Sequence, residues 1–169
     1  MASHMRGASA EALAAARERI EPLLSGAGSS ADASVVGDEL FAVSRLLEGS
    51  ASLRRAVTDP NADGESKAAL VQRLLEGKVS GATVDVVAGL ARSRWSSGGD
   101  LVDALEELGV QATLAGAEQL GALERVEDEL FRFGRVVVGQ RELRAALTDR
   151  SVPGPAARAP VRAGARGDR

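Results

Sequence analysis

Apolar residues recur along this 169-residue chain three and four positions apart, and no segment sustains the alternation of a strand bounded by turns. Val36, Leu40, Val43 and Leu47 fall at i, i+4, i+7 and i+11, which predicts a helix over about residues 35–48, with Gly49 as its stop. Upstream, Leu13, Ile20, Leu23 and Leu24 form the stripe of a first helix, with Ser9 its expected cap and Pro22 expected to kink or shorten its last turn. The Gly/Ser-rich stretch 25–34 reads as a connection. A short helix over 50–58 carries Leu53 and Val57 and stops at Asp59-Pro60, because a residue before proline avoids the α region. Asp63 caps a fourth helix to about residue 76, with Leu70, Val71, Leu74 and Leu75 inward and Gly77 closing it. Residues 82–96 predict a fifth, apolar at Val84, Val87, Leu90 and Ala91, with Trp95 near its end. No proline interrupts residues 100–138, so Leu101, Leu105, Leu108, Leu120, Leu123, Val126 and Leu130 predict one long helix or two in tandem, softened at Gly109, Gly116 and Gly121. A last short helix follows over 141–149. The predicted class is all-α.

The pattern is also duplicated. Residues 36–59 (VGDELFAVSRLLEGSASLRRAVTD) and 126–149 (VEDELFRFGRVVVGQRELRAALTD) align without a gap at an offset of 90, with 12 of 24 positions identical. Paired charges, a paired glycine (Gly49 and Gly139) and a paired Thr-Asp stop exceed what shared amphipathicity produces, and mark duplication of a helical unit. After Asp59 another apolar helix follows. After Asp149 the chain turns to Pro, Gly and Arg.

Composition narrows the chemistry. Apolar residues make up 44% of the chain, enough for a core, but the aromatics are only Phe41, Trp95, Phe131 and Phe133. Ala, Leu and Val must fill that core, which suits close helix packing and leaves little for stacking bases or sugars. With no Cys, disulfides, thiolate metal sites and a Cys nucleophile are excluded. No apolar run approaches the roughly 20 residues that span a bilayer, and no signal-peptide core is visible, so a soluble intracellular protein is the expectation. The net charge of −3 is uneven: five Arg against Asp168 give residues 150–169 a net of +4, leaving −7 for the rest. An acidic body is a poor nucleic-acid binder. MASHM at the start carries no structural pattern and reads as tag-like or disordered.

Catalytic constellations are hard to assemble. His4, the single His, lies in that N-terminal remnant, so no Ser-His-Asp arrangement can form within the fold. Asp38-Glu39 and Asp128-Glu129 read as carboxylates at helix starts, where the dipole favours negative charge. The Gly-rich stretches 26–28 and 98–99 lack phosphate-loop spacing. No cofactor or metal is expected. The Arg tail, with Pro153, Pro155 and Pro160 and no aromatic, reads as a disordered solvated end; binding nucleic acid or acidic lipid is its alternative reading. The run Arg92-Ser93-Arg94-Trp95 reads as a helix C-terminus with a packed Trp, or as a partner-binding edge. The Ala-rich first helix beside the Val/Gly-rich fifth helix would leave a shallow groove able to take another amphipathic helix.

Taken together, GASAEALAAARERI, SLRRAVTDPNADGESKAALVQRLLEGKV, GLARSRWSSGGDLVDALEELG and DELFRFG with ELRAALTD resemble the delta subunit of bacterial F-type ATP synthase. That family includes the mitochondrial oligomycin-sensitivity-conferral protein, and the likeness, over about residues 6–150, is greatest to the actinobacterial form. Its signature L-R-x-x-x-x-D-P, then K-x-x-L-V-x-x-L-L, stands here as Leu53, Arg54, Asp59, Pro60, then Lys67, Leu70, Val71, Leu74, Leu75. The resemblance implies a non-catalytic peripheral-stalk subunit at the cytoplasmic face of the cell membrane. It implies a six-helix bundle over residues 6–114, a partial second copy over 115–149 and a disordered basic tail over 150–169. The implied partner is the N-terminal helix of the synthase alpha subunit. It would lie between the first and fifth helices against Leu13, Ala16, Arg17 and Ile20 on one side, and Val84, Val87, Leu90 and Ala91 on the other. The family's stalk b subunit is a further partner of the full-length form. Residues 157–165 read ARAPVRAGA where the first copy has Lys67-x-x-Leu-Val-x-x-Leu-Leu, so the chain is expected to be truncated or frame-shifted after about Pro155, without the b-binding part. The rival reading is a free-standing helical adaptor that binds nucleic acid or acidic membrane through its basic tail.

Overall fold

The computed structural model describes residues 5–26 and 30–149, without the side chains of 30–32. Among the described residues the regular structure is all helix. Eight helices follow in order: α1 (Ala8–Leu24), α2 (Ser30–Gly49), α3 (Ala51–Thr58), α4 (Gly64–Leu75), α5 (Gly81–Arg92), α6 (Gly98–Gln119), α7 (Leu123–Gly139) and α8 (Arg141–Thr148). The all-α expectation therefore holds. The chain forms two compact units, Met1–Leu123 and Glu124–Arg169; the expected boundary after residue 114 falls inside α6. Residues 1–4, 27–29 and the whole basic tail lie outside the described residues.

Helices α1 to α6 share one core. Val36, Leu40, Val43 and Leu47, the stripe that predicts α2, are all buried, as are Leu101, Leu105 and Leu108 of α6. The most extensive packing is α2 against α6, and its closeness comes from glycine. A Cβ at Gly37 would collide with Thr113 Oγ1 and stand 3.0 Å from the Gly109 carbonyl oxygen; one at Gly116 would collide with Ser34 Oγ and stand 2.9 Å from the Ser34 amide. Each glycine, lacking a side chain, makes room for a small one from the facing helix and so brings the two backbones close. Gly109 and Gly116, expected as soft points, are therefore buried packing positions in an unbroken α6. Of these three expected soft points only Gly121 lies at a helix end, at φ 65°, a left-handed conformation that favours glycine. The stretch predicted as one helix or two is two.

Several local expectations shift for physical reasons. Ser9 does not cap α1: Gly7 precedes the helix, and Ser9 is buried, donating to Asp100 Oδ2 at 2.6 Å and accepting from the Ser96 amide at 2.8 Å. Helix α1 continues through Pro22 to Leu24, and the Ser25 amide still reaches the Glu21 carbonyl at 2.9 Å. The connection expected over 25–34 is shorter, since α2 begins at Ser30. Helix α5 stops at Arg92 instead of running to 96, and Trp95 folds back beyond it, 8% exposed, donating Nε1–H to the Leu90 carbonyl at 2.8 Å. That carbonyl lies in the last turn of α5 and also accepts from the Ser93 amide at 3.2 Å. The expected cap at Asp63 is present, accepting from the Ser66 amide at 2.9 Å; Ser50, expected inside the short helix, instead caps it by accepting from the Leu53 amide at 3.3 Å.

The duplicated segment makes duplicated structure. Gly49 and Gly139 each end a long helix, and eight-residue helices follow both. Arg54 Nη1 donates to the Leu47 carbonyl at 2.9 Å, and Arg144 Nη2 donates to the Val138 carbonyl at 2.8 Å. Thr58 Oγ1 and Thr148 Oγ1 donate to the Arg54 and Arg144 carbonyls at 2.8 and 2.9 Å. The copies differ in burial: α7 and α8 contain no buried residue.

Leu105→Asp should lower unfolding free energy by more than about 4 kcal/mol, because it leaves an unpaired carboxylate in a fully buried site. Leu143→Asp, at a half-buried position of α8, should cost less than about 1 kcal/mol. Urea titrations of both variants check this, and equal losses would contradict the difference in packing.

Candidate partner-binding groove

The face expected to receive a partner helix is built from α1 and α5. Of the eight residues assigned to it, Leu13, Ala16, Ile20, Val87, Leu90 and Ala91 are buried in the core, and Val84 is half-buried. Arg17 points outward and forms an ion pair with Glu107 of α6. These residues therefore hold α1 and α5 in place more than they offer free surface. The accessible seam between the helices is marked instead by Arg19, whose guanidinium lies where a Cβ on Gly89 would stand. Gly89 keeps the α5 side of the seam low, and a long cation lies across it. Sequence reasoning missed this pair, because nothing in linear spacing links positions 19 and 89.

Three ties fix α1 along α6. At the N-terminal end, Ser9 bridges Asp100 and the Ser96 amide. In the middle, Arg17 meets Glu107, which also accepts from Gln111 Nε2 at 3.2 Å. At the far end, Gln119 Nε2 donates to the Leu23 and Leu24 carbonyls at 3.3 and 3.2 Å. Helix C-terminal carbonyls lack i+4 donors, and here the Gln119 amide adds to the bond that the Leu23 carbonyl accepts from the Gly26 amide at 3.4 Å.

Helix α5 is fixed at both ends. Glu39 of α2 receives the Ser80 amide at 2.9 Å, Ser80 Oγ at 2.6 Å and Thr83 Oγ1 at 2.5 Å. This is a carboxylate at a helix N-terminus, but the helix is α5 and not its own. The expectation that Asp38-Glu39 opens its own helix is thus corrected, since α2 starts at Ser30. Burial pushes the Glu39 carboxyl up, yet the hydrogen bonds from Ser80 and Thr83 outweigh it and hold the group below the ordinary value of 4.5. In the second copy Glu129 and Asp128 pair only with Arg125 and Arg132 on exposed helix surface. At the other end of α5, buried Lys67 donates Nζ–H to the Ser93 carbonyl at 3.0 Å. Desolvation lowers its pKa, reinforced by Arg94, against the opposing pull of Asp59 and Asp63. Arg92 is bidentate to Glu65, at 2.7 and 3.1 Å. A Cβ at Gly64 would stand 2.8 Å from the Arg92 carbonyl oxygen, so the ends of α4 and α5 touch through backbone.

An open aliphatic pocket lies elsewhere, between α2, α3, α4 and α5, lined in part by Val43, Leu47, Val57, Val71 and Val87. Helix α1 contributes nothing to it. Among the described residues, no group of three or more acidic, His or Cys side chains could hold a metal ion. No described helix is long and apolar enough to cross a membrane.

The class this defines is a helical protein whose polar contacts hold helices together. Comparison with known proteins is specific. The chain is 55% identical over 167 residues to the ATP synthase subunit delta of Streptomyces coelicolor, covering 99% of this chain and 60% of that protein. It is 54% identical to the subunit of Streptomyces griseus and 53% identical to that of Beutenbergia cavernae, covering 87% and 88% of this chain and 54% of each relative. The chain is a homologue of actinobacterial ATP synthase subunit delta. It spans between about half and three-fifths of the length of these curated relatives. No family model matches it.

Glu39→Gln should destabilise the first unit by about 1–3 kcal/mol at neutral pH, the range for hydrogen bonds to a charged group. The folded-state pKa is depressed, so the contribution is present above about 4.5 and is lost as pH falls through the lowered value. The stability difference between wild type and Glu39→Gln, measured by denaturant titration from pH 7 downward, should narrow below pH 4.5.

Proposed function

We propose that this chain is a non-catalytic subunit of the peripheral stalk of a proton-translocating F-type ATP synthase. It would act at the cytoplasmic face of the membrane and join the catalytic head to the membrane part. The observation that carries this reading is the 55% identity, over nearly the whole chain, to a protein named ATP synthase subunit delta. In this reading α1–α6 are the stalk's six-helix bundle and α7–α8 begin its second copy. The N-terminal helix of an alpha subunit lies along the seam of α1 and α5, and the stalk b subunit engages parts of the longer relatives. Such a part must resist torque, and a bundle tied at both ends of α5 and along α1 is suited to that. Burial at roughly 25 cal/mol per Å² over several hundred Å² holds a partner firmly once the complex keeps both at high effective concentration. Proton flow and phosphate chemistry belong to other subunits.

Partner entry would displace Arg19 from Gly89, so the seam itself can be tested. Titration with a synthetic peptide of an alpha-subunit N-terminus should shift amide resonances of α1 and α5 selectively; no shifts there would refute the groove. Gly89→Ala should weaken peptide binding with little loss of stability, since its Cβ meets only the Arg19 side chain and helix propensity improves; Gly89→Leu should weaken it at least about tenfold. Removing residues 150–169 should leave peptide affinity unchanged. Salt-sensitive binding to nucleic acid or anionic vesicles that disappears on this deletion would favour the basic-tail adaptor instead.

A further inference from the structure

Arg19 is the cation of the α1–α5 seam that nothing neutralises. The two helices carry three cations between them, Arg17, Arg19 and Arg92. Arg17 pairs with Glu107 of α6, and Arg92 with Glu65 of α4. Arg19 is exposed and, among the described residues, forms no hydrogen bond or ion pair. Asp85, one helical turn before Gly89 on α5, is exposed as well, and Arg19 does not engage it. The arginine runs across the seam instead: its Cδ, its Cζ and its Nη1 all lie beside the place a Cβ on Gly89 would take. Its donors therefore end on the α5 side, inside the footprint of any helix laid along the seam.

The side chains around it are short. Ala12, Ala15 and Ala16 precede it on α1, and Ala82 lies two turns before Gly89 on α5. A helix resting on such a surface comes close enough to exclude water, and the guanidinium beneath it loses its hydration. A desolvated charge without an acceptor opposes binding strongly. The guanidinium is a planar fork of five donors, and a carboxylate accepts two of them in parallel. We propose that Arg19 is a specificity-determining residue of the seam: it pairs with a carboxylate on the partner helix, so the seam selects a helix that carries Asp or Glu in register with Gly89. The inference rests on the seam reading given above and adds to it the charge that the partner must bring.

Calorimetric titration of the whole chain with the alpha-subunit N-terminal peptide tests this, alongside peptides in which each Asp or Glu in turn is made the corresponding amide. Arg19→Gln should weaken binding of the unaltered peptide on the order of tenfold, with the melting temperature unchanged because Arg19 is exposed and unpaired. One peptide position should show the same loss against the wild-type chain and no further loss against Arg19→Gln. Lys at that position should restore binding to Arg19→Glu. Unchanged or tighter binding by Arg19→Gln would mean that the arginine only obstructs the seam, and would overturn the inference while leaving the seam reading intact. Losses that are equal for both chains at every peptide position would do the same. Asp85→Asn separates the local rival: if the loss caused by Arg19→Gln vanishes in that background, the displaced guanidinium turns to Asp85 and the partner carboxylate is refuted. An unaltered peptide that does not bind at all would remove the seam reading itself, and this inference with it.

Discussion

Close backbone contact between α2 and α6 is the constraint on which the first unit rests. Gly37 lies against Thr113 and the Gly109 carbonyl, and Gly116 lies against Ser34, so each glycine admits one small side chain and the facing backbone at these points. At that separation the α2 stripe and the α6 leucines share one buried layer. A fixed α2 in turn carries Glu39 to the start of α5, and a fixed α6 carries Asp100, Glu107 and Gln119 to the three points where α1 attaches. Cores of small aliphatic residues depend on such proximity, because dispersion falls away quickly with a gap, and here even the Phe41 ring is brought against Gly109.

The duplicated segment shows how little sequence separates a buried helix from an exposed one. Its copies share the helix stop at glycine, the arginine that reaches back to the preceding helix and the threonine that closes the short helix. These features are local, and both copies form them alike. The tertiary contact is what differs. With Glu127 in place of Gly37 the close approach is unavailable, and the carboxylate that caps α5 in one copy pairs only with a surface arginine in the other. Local geometry was inherited and packing was not.

The proposed stalk role places a particular demand on α5, which would form one wall of the seam. Its N-terminus is tied to α2 by Glu39 and its C-terminus to α4 by Lys67 and Arg92. A wall fixed at both ends transmits force without sliding. Lys67, Asp59 and Pro60 belong to the signature by which the sequence resembles the delta family, and of these Lys67 ties α4 to the Ser93 carbonyl at the end of α5.

Periodicity alone determined the helical class, the order of the helices and most of the core. Val36, Leu40, Val43, Leu47, Leu101, Leu105 and Leu108 are buried as their spacing predicts, since one face of an amphipathic helix must leave water whatever covers it. The cap at Asp63 was equally legible, being made within three residues. The assignment of Ser9, Glu39, Gly109 and Gly116 was not. Each acts across 41 to 91 positions or against another backbone, and a serine, a carboxylate or a glycine carries no mark of a distant partner. The expected groove residues illustrate the same limit. Their apolar spacing identified which sides of α1 and α5 turn inward, but that arithmetic cannot separate burial in the core from exposure in a cleft. Only the tertiary structure decided that six of the eight lie in the core and that Arg19 over Gly89 marks the seam, because both depend on how far apart two helices come to rest.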